Sequence, residues 1–198
     1  MRWDRLFDDL EGQLDEELRA EETDLVAEEE RLRLGRLALR DRLAAVATGE
    51  VRPDAPLRLE LRGGRRVALA ALTVGRDWLA GPLGGEGAGR SAVIPLAAIA
   101  AALPTPVQLS TGLGAEPAGE SALALSARLG LAFVLRDLAR RRAPVTLLLG
   151  SAGVHGTIDR VARDHLDLAE HPPGEPRRAS AVSAVRLVPF GALDLIEY

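Results

Sequence analysis

Cysteine is absent from this 198-residue chain, and lysine and asparagine are absent with it. Without cysteine there is no disulfide, no thiolate metal site and no cysteine nucleophile. Without lysine, every strongly basic side chain is an arginine. Aromatic residues are scarce, with one Tyr, three Phe and two Trp, which leaves little for stacking successive bases of a single strand. No uncharged apolar run reaches eighteen residues, and no charged-then-apolar leader precedes a cleavage site. A cytoplasmic protein without a membrane partner is therefore expected. The motifs of covalent and phosphate chemistry are also missing. Ser151 lies in "GSAG", which lacks the G-x-S-x-G pattern and is not followed by a strand-to-helix elbow. The glycine-rich "GGEGAGR" (84–90) sits between strand patterns and has no Lys-Ser/Thr after it, so it reads as a hairpin loop and not a phosphate cradle. No catalytic residue, cofactor or metal is assigned, and an enzyme is not expected.

What is present is a large apolar fraction, 47%, and an uneven charge. Residues 1–50 carry fifteen Asp/Glu against eight Arg, a net of −7, and the remainder carries fourteen against seventeen, a net of +3. Such a balance permits polyanion binding by the rear part without demanding it.

Residues 1–50 read as an acidic helical segment. Leu6, Leu10, Leu14 and Leu18 recur every four residues, then Leu18, Leu25, Leu32, Leu39 and Val46 every seven. The complementary heptad position holds Glu28, Gly35 and Arg42, a poor seam for a coiled coil. The spacing predicts one amphipathic helix, or two broken near Thr23-Asp24 or Gly35. From Pro56 the period becomes two. Leu57, Leu59 and Leu61 alternate with charged residues, "RGGRR" turns, and Val67, Leu69 and Ala71 alternate again. This predicts a first barrel over 55–103, a linker over 104–120, a helix over 121–142 and a second barrel over 143–198. The predicted helix places Leu125, Leu129, Phe133 (or Ala132), Arg136 and Leu138 near one side, with Arg140, Arg141 and Arg142 at its C-terminal end, where cations suit the dipole.

The second barrel repeats the first. Val145, Leu147 and Leu149 answer Leu57, Leu59 and Leu61, and Val154, Gly156 and Ile158 answer Val67, Leu69 and Ala71. "RDHL" (163–166) lines up with "RDWL" (76–79), and "VPFGAL" (188–193) with "IPLAAI" (94–99). The offset is 88 residues in the first strand, 87 in the next and 94 after the loop "EHPPGEPRRAS", so length changes are confined to turns.

A helix followed by five short strands resembles the Sm-like domain, a small SH3-like barrel. In the second copy "V-x-G-x-I" at Val154, Gly156 and Ile158 and "DHLDL" at 164–168 are similar to that family's first motif, with Leu166 in place of Met and Asp167 in place of Asn. The family's Arg-Gly pair falls on Pro189 and Phe190, and in the first copy on Pro95 and Leu96. The resemblance implies a fold that is mainly β with helices (α+β): tandem five-stranded Sm-like barrels, each preceded by a helix. The whole chain, including the opening "MRWDRLFDDLEGQL", also resembles an actinobacterial family often labelled "Fis family transcriptional regulator". That label implies a C-terminal helix-turn-helix, whereas "AVSAVRLVPFGALDLIEY" reads as strand, proline turn and strand.

Two constellations remain. His155, Thr157 and Asp159 share one face of a strand, and His165 and Asp167 the corresponding face of the next. They read as a solvent face; a His155/Asp159/His165 metal site is the less favoured alternative. Arginines gather on turns: Arg62, Arg65, Arg66 and Arg76 in the first copy, Arg160, Arg163, Arg177 and Arg178 in the second. Guanidinium forks suit phosphates, and Trp78 beside Arg76 is placed to stack a base or to plug a barrel–helix interface. Trp3 and Phe7, four apart on the first helix, are candidate contacts to a partner. The expectation is a non-enzymatic adaptor or regulator acting through barrel surfaces, with RNA or DNA as one ligand class. The alternative is a protein–protein scaffold or self-association module that uses the acidic helix.

Overall fold

The computed structural model describes residues 2–48, 55–70, 73–84, 89–115 and 128–198, with side chains in the first helix described at 16, 18, 19 and from 21 onward. Two compact units result, residues 1–38 and Leu39–Tyr198.

The first unit is one helix, α1 (Arg2–Arg36). Its acidic-before-basic order supports ion pairs one turn apart, Glu28 with Arg31 and Glu30 with Arg33, the latter at 2.7 Å. The expected break falls at Leu37–Ala38, just beyond Gly35, a weak helix former close to the end of α1.

The second unit begins with α2 (Leu39–Thr48), which buries Leu43 and packs Ala44 and Ala47 on the core. Six strands follow: β1 (Leu57–Leu61), β2 (Arg66–Leu69), β3 (Thr73–Val74), β4 (Trp78–Pro82), β5 (Ser91–Pro95) and β6 (Ile99–Leu103). Leu57, Leu59 and Leu61 are buried, as the alternation predicts. The stretch read as a linker contains a helix, α3 (Pro106–Leu113). Its signal was in the sequence: Thr105 caps the start by accepting from the Gln108 N–H, Gln108 reciprocates to the Thr105 N–H, and Pro106 occupies the first turn.

Of the helix expected over 121–142, the described part before the second half is α4 (Leu131–Arg140), and residues 116–127, including Leu125, lie outside the described residues. Its buried row is Leu131, Leu135 and Leu138, so Phe133 faces solvent instead of the core. Arg140 and Arg141 both pair with Asp137. Then come β7 (Pro144–Leu149), β8 (Ala152–Val161), β9 (His165–Glu170), β10 (Ala184–Pro189) and β11 (Leu195–Glu197).

The α+β class is as expected, but the described residues form two open antiparallel sheets where two separate closed barrels were anticipated. One has the order β2-β1-β6, and the other β10-β9-β8-β7-β11-β5-β4-β3. Two features produce this. The second strand of the first half is described in two pieces, β2 paired with β1 and β3 paired with β4, with residues 71–72 between them outside the described residues, and β2 meets the end of β4 only through the Leu69–Leu83 bridge and its flanking bonds. And β11 pairs on one edge with β7 and on the other with β5, which runs a single sheet through both halves. Apart from that division, both halves use one strand order: fifth, first, second, third, fourth. At the crossing of β8 and β9, Gly156 is required. A Cβ there would meet the Ala169 carbonyl oxygen well inside contact distance.

The two cores interlock. The cluster under the second half takes in Trp78, Ala80 and Val93 from the first, and the cluster under the first half takes in Leu148 and Leu195 from the second.

Candidate binding surfaces

Beside the β5·β11 junction sit two buried carboxylates supplied by the second half and arginines supplied by the first. Glu197, 5% exposed, accepts from Arg65 Nη2 at 2.9 Å and from Arg90 Nη1 at 2.6 Å. Asp194 accepts from the Gly150 N–H at 3.0 Å and from Arg62 Nη2 at 3.3 Å. Arg62 also donates to the Gly191 carbonyl at 2.8 Å. The turn that carries Arg62 presses so closely on the Gly150 carbonyl and Asp194 that a Cβ at Gly63 would collide with both. These arginines are structural clamps. A buried carboxylate needs its partners, because an unpaired charge there would cost several kcal/mol, on the order of 3–5.

The other nominated residues divide the same way. Arg66 pairs with Glu60 on the surface at 3.1 Å. Arg76 lies 3.6 Å from Asp77, whose carboxylate also accepts the Leu131 N–H at 2.7 Å at the start of α4. Trp78 is 6% exposed and its indole N–H donates to the Leu129 carbonyl at 2.9 Å. Its ring therefore fills the space between strand and helix, with no face left for a base. Arg177 grips Asp159 with two bonds, 2.8 and 2.6 Å, and that contact holds its pKa above the ordinary arginine value. Only Arg160, Arg163 and Arg178, of the nine nominated side chains in the barrels, are exposed arginines without an ion pair among the described residues. Arg160 lines an open depression of about 510 Å³ with Val161, Ala162, His165 and Asp167, a rim of mixed charge. A second depression, about 410 Å³, is lined by Arg58, Arg65, Arg66, Val67, Leu83 and Leu103 among others. The side chains of Trp3 and Phe7 lie outside the described residues.

The polar face read as solvated is partly covered. Thr157 is buried and His155 half-buried, and both belong to a cluster with His171, which the sequence reading missed. Register brings them together: Thr157 Oγ1 is 2.9 Å from His171 Nε2, and Thr146 Oγ1 is 3.0 Å from His155 Nδ1. The two imidazoles meet edge to face with centroids 5.4 Å apart. Burial, reinforced by the neighbouring His171, pushes the His155 pKa below its ordinary 6.5. The proposed metal trio is dispersed among other partners: Asp159 on Arg177, His165 on Asp164 at 2.7 Å, and His155 on Thr146. Among the described residues no three His, Asp or Glu side chains are disposed to share a metal ion. No helix among the described residues is long and apolar enough to cross a membrane.

Asp194, Glu197 and Arg90 carried no local signal, since their side-chain partners are supplied by the opposite half. The repeat alone marks Glu197 and Arg90, as the charged residues standing where the other copy has Leu103 and Ala184. No family model, curated protein or solved structure matches the chain.

Proposed function

We propose that the chain is a non-enzymatic adaptor or regulator made of two fused Sm-like repeats, binding a macromolecule over its surfaces without transforming a substrate. The observation that carries this reading is the inward commitment of its chemical groups. The arginines nearest the junction clamp buried carboxylates, the histidines bond threonines, and what faces outward is sheet edge and helix, with no reactive cleft among the described residues. The strand order common to both halves, each led by a helix, supports the Sm-like assignment.

Between ligand classes, the same commitment favours protein. With Trp78 enclosed and Arg62, Arg65 and Arg177 paired, the phosphate-facing set shrinks to the loosely paired Arg66 and Arg76 on the first half and to Arg160, Arg163 and Arg178 on the second, these last beside the repelling carboxylates of Asp164 and Asp167. Fluorescence-anisotropy titration with single-stranded RNA and DNA tests the choice. The expected result is no binding tighter than the roughly micromolar, steeply salt-dependent level of non-specific contact. A tight complex lost in Arg160→Ala/Arg163→Ala would establish the nucleic-acid reading instead. Crosslinked native complexes should contain a protein partner, and removal of residues 1–38, a unit by itself, should release it if the helix is the contact.

A further inference from the structure

A helix in water takes most of its stability from packing an apolar face. Helix α1 has such a face and leaves it open: Leu18, Leu25 and Leu32 are 49%, 66% and 52% exposed. These leucines stand seven residues apart, and what lies between them repeats too. Residues 18–24 read L-R-A-E-E-T-D and residues 25–31 read L-V-A-E-E-E-R. Each of the first two leucines is therefore followed, three and four residues on, by a pair of glutamates, Glu21 with Glu22 and Glu28 with Glu29. At about 3.6 residues per turn, those positions lie on the same side of the helix as the leucine. The face alternates leucine rungs with carboxylate pairs. We propose that it binds a basic amphipathic helix of another protein, whose apolar residues recur every seven positions with Lys or Arg pairs midway between them.

Charge decides the occupant. Glu21, Glu22 and Glu29 are exposed and have no ion pair among the described residues, while Glu28 has Arg31 of its own helix. The partner is not a second copy of α1. Any alignment, parallel or antiparallel, that matches two of these leucines with two of the other copy's sets a glutamate pair against a glutamate pair. Like charges across a helical seam repel, and they select against that pairing. The seam that is poor for α1 with itself is matched for a helix carrying the opposite charge.

Because each glutamate pair sits midway between two leucines, a parallel and an antiparallel partner meet it alike. The pattern ends at Leu32, which is followed at the same two positions by Gly35 and Arg36. The contact therefore covers residues 18–32, about 22 Å of helix. Its carboxylates turn away nucleic acid and anionic membrane surfaces. This inference rests on the adaptor reading and names the chemistry of the adaptor's partner.

Isothermal titration calorimetry on the full chain tests it, with a synthetic helical peptide of Leu-Ala-Ala-Lys-Lys-Ala-Ala heptads as the probe. One control peptide has Glu for every Lys, and another has Ala for every Leu. The wild type should bind the Leu/Lys peptide saturably, with affinity falling as salt rises. Each control should bind at least about tenfold more weakly. Leu25→Gln with Leu32→Gln should weaken the Leu/Lys peptide by about tenfold or more, and so should Glu21→Gln, Glu22→Gln, Glu28→Gln and Glu29→Gln together. Glutamine keeps the helix propensity of the residues it replaces, so an unchanged circular dichroism spectrum assigns the loss to the contact. Replacing the same four glutamates by lysine should transfer the preference to the Leu/Glu peptide. Three results overturn the proposal: no binding of the Leu/Lys peptide, equal binding of the leucine-free peptide, or undiminished binding to the leucine variant. Self-association of the wild type that the leucine substitutions abolish also overturns it, in favour of a second copy. A native protein partner retained by the leucine variant sinks this contact and leaves the adaptor reading standing. A tight nucleic-acid complex sinks the adaptor reading without changing the peptide titration, so the two failures are distinguishable.

Discussion

The two halves share a strand order but do not share their means of completion. Each supplies apolar residues to the other's core, yet all three histidines and both buried carboxylates of the junction belong to the second half, and the clamping arginines belong to the first. Duplication explains the common framework. The division of charge explains why the halves cannot be exchanged, since Leu103 in the place of Glu197 would leave Arg65 and Arg90 without a carboxylate. What this teaches is that a repeated strand pattern specifies a backbone, while the residues that differ between the copies specify which edge meets which.

The comparison can be broken most forcefully at the shared core. Leu195→Ala removes a fully buried side chain that the second half lends to the first, and should cost about 2–5 kcal/mol. Calorimetry should still show one transition for Leu39–Tyr198; two separated transitions would mean that the halves do not depend on each other. A smaller loss is expected for Glu197→Gln, about 1–3 kcal/mol by urea unfolding, because Arg65 and Arg90 lose a charged acceptor. A pH series sharpens the contrast further, since the first half contains no histidine. His155 in the folded protein binds a proton less readily than in the unfolded chain, so its contribution to stability is complete above about pH 6.5 and is lost as pH falls through its lowered folded-state pKa. His155→Gln should flatten that dependence; an unchanged profile would remove the buried imidazole as its cause. The smallest effect belongs to Arg66→Ala, which breaks an exposed pair with Glu60 and should change stability by under about 0.5 kcal/mol.

Much of this framework was legible from residue order. Alternating leucines marked β1, the matching of "RDWL" with "RDHL" marked the third strands, and the period-four leucines marked α1. Helix α3 was legible in principle, through Thr105-Pro106-Val107-Gln108, but its short apolar content resembled a linker. The crossing of strands between halves was not legible. Both β5 and β11 read as ordinary strands, and nothing local distinguishes pairing within a copy from pairing across copies. Of the arginines read on turns, Arg66 opens β2 and Arg160 lies in β8 while the others fall in connections, and the carboxylates Asp194 and Glu197 lie roughly 130 residues further along the chain, beyond the reach of any spacing argument. Thr157 and His155 were assigned to solvent because alternation gives the face of a strand and not what covers it.

The late position of β11 in chain order also governs how the protein comes off the ribosome. Val93 and Ile196 are 103 residues apart, so the edge of β5 is complete long before its partner exists. At about 5–20 residues per second, that edge waits on the order of 5–20 seconds for β11 to be synthesised. For that interval the first half is an unfinished sheet, open to any nascent chain nearby on the same message.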